Sequence, residues 1–71
     1  MLPLNQAGYV TEGAFKGWWV QIQESEGVGF IVIKALDSGM NDTKLFQGPF
    51  ADMEGVEHYF RKHQLQVDWK D

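Results

Sequence analysis

The chain has 71 residues, a net charge of −4 and no cysteine, with 44% hydrophobic and 14% aromatic residues. This composition is too apolar for a disordered segment, too acidic for a surface that displaces counterions from nucleic acid, and incapable of a disulfide or a thiolate metal cage. A domain of this length buries only about 60% of its unfolded surface, so self-association is the expected source of further stability.

Residues 1–15 mix Leu2, Leu4, Tyr9, Val10 and Phe15 with Pro3, Gly8 and Gly13 in no sustained period, and read as an extended arm with room for a short strand around Tyr9 to Thr11. Its five large apolar residues favour docking onto the rest of the chain or onto a neighbour. From Trp18 to Glu24, Trp18, Val20 and Ile22 alternate with Trp19, Gln21 and Gln23, the period of a strand with one oily face. Phe30 to Leu36 is apolar at nearly every position. A hairpin turning near Gly27 with a loop of two or four residues places Trp18, Val20 and Ile22 opposite Ala35, Ile33 and Ile31. The reverse face then carries Trp19 opposite Lys34, Gln21 opposite Val32 and Gln23 opposite Phe30.

Asp37 to Asp42 is a run of turn formers, and Thr43 to Gln47 reads as a third strand closed by Gly48-Pro49. Beyond it Met53, Val56, Tyr59 and Phe60 fall within roughly 120° on a helical wheel. Ala51 or Asp52 starts that helix, and Glu57 and Arg61 form an exposed i,i+4 pair. Leu65, Val67 and Trp69 alternate with polar residues as a last strand. The reading is one α+β domain over 1–71, an arm over 1–15 and a β-β-β-α-β core over 16–71. The crossover makes the last strand parallel to the first in a four-stranded, mostly antiparallel sheet of order 3-2-1-4, with the helix on one face. Trp18, Val20, Ile22, Ile31, Ile33, Val56, Phe60, Val67 and Trp69 should lie between helix and sheet.

Reactive constellations are weak. His58 and His63 sit about 140° apart around the helix, too far to share an ion, so His58 reads as solvated and His63 as a cap near the last carbonyls. Asp37, Asn41 and Asp42 lack the alternate ligands and terminal glutamate of a calcium loop and read as turn caps. Gly27-Val28-Gly29 is too short to cradle a phosphate and reads as hairpin geometry. Ser25 and Ser38 stand in turns without a neighbouring base. No catalytic, cofactor-binding or metal residue is assigned, and a non-enzymatic role is expected.

What remains is the reverse face of the hairpin. Trp19, Phe30 and Val32, framed by Gln21, Gln23 and Lys34 and approached by Tyr9 of the arm, form an apolar patch with a polar rim, the composition of a contact surface. Trp19 over Lys34 adds a cation–π contact. The expected function is a small interaction module that forms a homodimer or higher homo-oligomer through this second face, with room for a protein partner. The alternatives are an acidic inhibitor or immunity-type protein that captures a basic partner, and a small-molecule binder with an aromatic cleft between arm and sheet. The chain offers no span of membrane-crossing length and no basic leader, so a cytoplasmic protein without membrane or nucleic-acid partners is expected.

Overall fold

The computed structural model describes residues 2–70. Five strands and one helix follow in the order β1 (Gly8–Glu12), β2 (Trp19–Ser25), β3 (Gly29–Ala35), β4 (Thr43–Phe50), α1 (Met53–Lys62) and β5 (Gln66–Trp69). They form an α+β domain with a single sheet of order β4-β3-β2-β1-β5, antiparallel at every junction. The expected four strands become five because the arm supplies one. β1 inserts between β2 and β5, so the last strand pairs with β1 and not with the hairpin. Its direction relative to β2 is still parallel, as the crossover required, but one strand removed.

Gly8 explains how β1 fits there. A Cβ at this position would lie 2.3 Å from Val67 Cγ1 and 2.6 Å from Trp69 Cε3, so those side chains close over bare backbone. Asn5 N–H extends the pairing by donating to Ile22 O at 2.8 Å, and Lys70 N–H donates to Ala7 O at 2.8 Å on the other side. The arm is thus held through backbone hydrogen bonds on both flanks.

The hairpin reverses through Glu26, Gly27 and Val28, three residues where an even number was expected. Val28 N–H donates to Ser25 O at 2.9 Å, and Gly29 follows at φ 128°, a conformation that side chains rarely adopt. An odd loop moves the register by one and turns every β3 side chain to the other face. Val20 therefore faces Lys34, Ile22 faces Val32, and Trp19 faces Ala35. Ile31 and Ile33, expected under the helix, belong to the reverse face. Phe30, Val32 and Lys34 take their place.

β4 runs past Gly48 and Pro49 to Phe50, longer than expected, because an edge strand tolerates a residue without an N–H. The helix begins where expected: Asp52 accepts from Gly55 N–H at 2.9 Å as N-cap, with Glu54 in the first turn. His63 caps the other end with its backbone N–H, which donates to Tyr59 O, and not with its ring. Among the described residues the ion pairs are Lys44–Asp42 and Lys70–Asp68, so Glu57 and Arg61 do not form the pair expected of their spacing. Val56, Tyr59 and Phe60 bury the helix against Val10, Val20, Ile22 and Val32, with Leu65 closing the end. Leu2, Phe15, Phe30, Phe50, Met53, Val67 and Trp69 pack around that core. Trp18 stands just outside β2, half-buried and edge-on to Phe15.

Candidate functional site: the open face of the sheet

The helix covers one side of the sheet only. Side chains on a strand alternate between faces, so the register assigns Tyr9, Trp19, Gln21, Gln23, Ile31, Ile33, Ala35 and Phe46 to the opposite side. Tyr9 and Trp19 are cross-strand partners whose rings meet edge-on at 5.3 Å. Phe46 lies opposite Ile33 and is the most exposed large apolar residue among the described residues, at 64%. Gln23 donates to Gln21 at 2.7 Å, which ties two polar residues together beside the rings. Asp68, opposite Tyr9 on the outer strand, is paired with Lys70 at 2.7 Å and places charge at the rim.

Of the seven residues expected to make this patch, Tyr9, Trp19, Gln21 and Gln23 share the open face. Phe30, Val32 and Lys34 do not, because the odd hairpin loop sends them under the helix. Ile31, Ile33 and Phe46 complete the surface instead. Two glycines bracketing Val28 were the local sign that the loop could hold three residues, since a three-residue reversal needs a positive φ near its end.

Lys34 is the second unusual feature. It is 1% exposed, with cross-strand neighbours Val20 and Leu45. Its amine donates to the Tyr59 hydroxyl and stands 3.7 Å from the Phe15 ring centroid and 4.8 Å from that of Tyr59. The expected contact with Trp19 is replaced by these two rings. Burial away from water lowers the pKa of Lys34 below the ordinary lysine value and raises that of Tyr59 above the ordinary phenol value. His63 stacks obliquely on Tyr59 at 4.6 Å and closes the cluster.

In the Asp37–Asp42 turn, Asp37 accepts from Asp42 N–H at 2.7 Å and from Asn41 N–H at 3.2 Å, as a turn cap does. The Asp42 N–H is the main cause of the lowered Asp37 pKa. His58 is exposed. Among the described residues no three His, Asp or Glu side chains converge on a point that could hold a metal ion, and no helix is long and apolar enough to cross a membrane. Comparison with models of protein families, with curated proteins and with solved structures finds no match to this chain.

Proposed function

We propose that this chain is a non-catalytic interaction module that associates with a second copy of itself through the open face of its sheet. The observation that carries this reading is the apolar surface opposite the helix, where the exposed Tyr9 and Phe46 and the half-buried Trp19 and Ile31 surround the buried Ile33 with no charged residue at its centre. Interface cores are depleted of charge and enriched in aromatic residues, with polar groups at the rim, and this face has that arrangement.

The sheet edges support the face as the contact. β4 is the longer edge, but its pairing with β3 is interrupted by register shifts on both sides of Leu45–Gln47, and Pro49 removes a donor. Bulges, proline and the nearby Lys44 are the devices by which edges resist pairing with another chain. β5 spans only four residues and carries the Asp68–Lys70 pair. Two sheets stacked about 10 Å apart would bury the rings without using either edge.

Sedimentation velocity across micromolar concentrations tests the proposal. A dimer is expected that persists in high salt, since an uncharged contact is little screened. Trp19→Glu and Phe46→Glu should each shift the species to monomer while the far-ultraviolet circular dichroism stays unchanged. A wild-type monomer at those concentrations would overturn the reading.

A further inference from the structure

The end of the helix holds a feature separate from the open face. A cavity of about 570 Å³ lies where the last turns of α1 meet the start of β5 and the arm. Its apolar wall is formed by Leu2 of the arm, Phe60 of the helix and Leu65 just beyond it. Phe60 is backed by Trp69, whose ring stacks on it at 6.2 Å. The rest of the lining is polar, from Glu57, Arg61, Gln64 and Gln66. The volume falls within the range of small-molecule sites, and an apolar wall with a few convergent polar groups is their usual composition.

Glu57 and Arg61 stand one helical turn apart, the spacing at which opposite charges pair. Both line this cavity, yet neither ion pair among the described residues includes them. Side-chain hydrogen bonds among the described residues also leave the side chains of Glu57, Arg61, Gln64 and Gln66 unengaged. Gln64 reaches its place through the end of the helix. Its N–H donates to Arg61 O at 3.0 Å and Leu65 N–H donates to Phe60 O at 2.9 Å, which closes the last turn with Gln64 at φ 56°. Glycine usually fills that position. Glycine would complete the same turn but would bring no side-chain amide to the cavity.

We propose that this cavity binds a free α-amino acid with a large apolar side chain, its ammonium on Glu57, its carboxylate on Arg61 and its side chain against Phe60, Leu65 and Leu2. The ligand supplies each residue with the opposite charge that the other does not provide. An acid without the amine leaves Glu57 unmatched, an amine without the acid leaves Arg61 unmatched, and a peptide terminus brings only one of the two charges, so the pair selects a zwitterion. The guanidinium can hold a carboxylate through two parallel N–H donors, and the amides of Gln64 and Gln66 both donate and accept. A small side chain such as that of glycine would leave the apolar wall in water. The site lies on the helix side of the sheet and shares no residue with the open face, so it goes beyond self-association and stands or falls separately from it.

The test titrates the full chain with L-phenylalanine at neutral pH and follows its backbone amide resonances by NMR. Saturable shifts are expected at Arg61, Gln64, Leu65 and Gln66 and not at Trp19, Gln21 or Phe46, with a Kd below about 1 mM. N-acetylphenylalanine and phenylalaninamide each lack one charge and should bind about tenfold more weakly, as should glycine, which lacks the apolar side chain. Glu57→Gln should weaken L-phenylalanine about tenfold and leave N-acetylphenylalanine unchanged, and Arg61→Gln should do the same with phenylalaninamide as the unaffected ligand. The ligand series on the wild-type chain decides by itself if a variant fails to fold. No saturation by about 10 mM, equal affinity for the singly charged derivatives, or shifts confined to the open face would overturn the proposal.

Discussion

The two faces of this sheet come from the same strands and differ in what they leave uncovered. Beneath the helix, Val10, Val20, Ile22 and Val32 are inaccessible to water. On the other side Ile33 and Ala35 are buried as well, but Tyr9 and Phe46 stand 37% and 64% exposed. The sealed face even accommodates an amine, while the open face holds glutamines and rings and no central charge. Burial on the first face is completed by the chain's own helix. On the second it stops at the side chains of the strands, which leaves a surface suited to another molecule.

Substitutions that separate the faces can sharpen that contrast. Ile22→Ala empties a fully enclosed site and should cost about 2–5 kcal/mol in chemical denaturation. Gly29→Ala tests the turn that sorts the faces. A Cβ there would lie 2.1 Å from the Phe50 carbonyl oxygen, and φ is +128°, so a loss of about 1–3 kcal/mol or more from backbone strain is expected in the same measurement.

The buried amine makes the sealed face sensitive to alkali in two opposed ways. Because the Lys34 pKa is lowered on folding, its contribution is present above the unfolded value of 10.5 and is lost as pH falls through the folded value. Because the Tyr59 pKa is raised, its contribution is complete below the unfolded value of 10.0 and is lost as pH rises through the folded value. Thermal midpoints should therefore carry an alkaline component that rises with pH and then falls. The double variant Lys34→Met/Tyr59→Phe should flatten it. A wild-type curve identical to that of the double variant would mean that the pair is not coupled to folding.

Smaller effects follow at the periphery. Asp52→Ala removes the helix N-cap and should cost about 1 kcal/mol in denaturant melts. Phe46→Ser, on the open face, should change the stability of the isolated chain by no more than about 0.5 kcal/mol while lowering the sedimentation coefficient at micromolar concentration. An equal loss of stability from Phe46→Ser and Ile22→Ala would erase the distinction between the faces.

Much of the architecture was legible because it depends on local pattern. Val20 and Ile22, alternating with glutamines, mark a strand with one buried side. Val56, Tyr59 and Phe60 mark a helix with one buried stripe, and Asp52 marks where it starts. The candidate site was only half legible. Tyr9, Trp19 and Gln21 were placed together because they depend on β1 and β2, whose alternation survives any choice of turn. Phe30, Val32 and Lys34 were misplaced because β3 is apolar on both sides, so nothing in its own residues says which side faces the helix. The count of residues in a single loop decided that.

From the order of its amino acids this protein determines its strands, its helix and the cap that begins it, because these rest on periods of two and 3.6 and on a side chain three residues from an amide. Tertiary structure alone decided that the arm becomes the strand between β2 and β5, and that a lysine is enclosed in the core while two isoleucines turn outward. Both outcomes follow from long-range pairing: Val67 and Trp69 close over the bare backbone of Gly8, and Gly29 lies against the Phe50 carbonyl. Such contacts join residues too far apart in the chain for any local pattern to record.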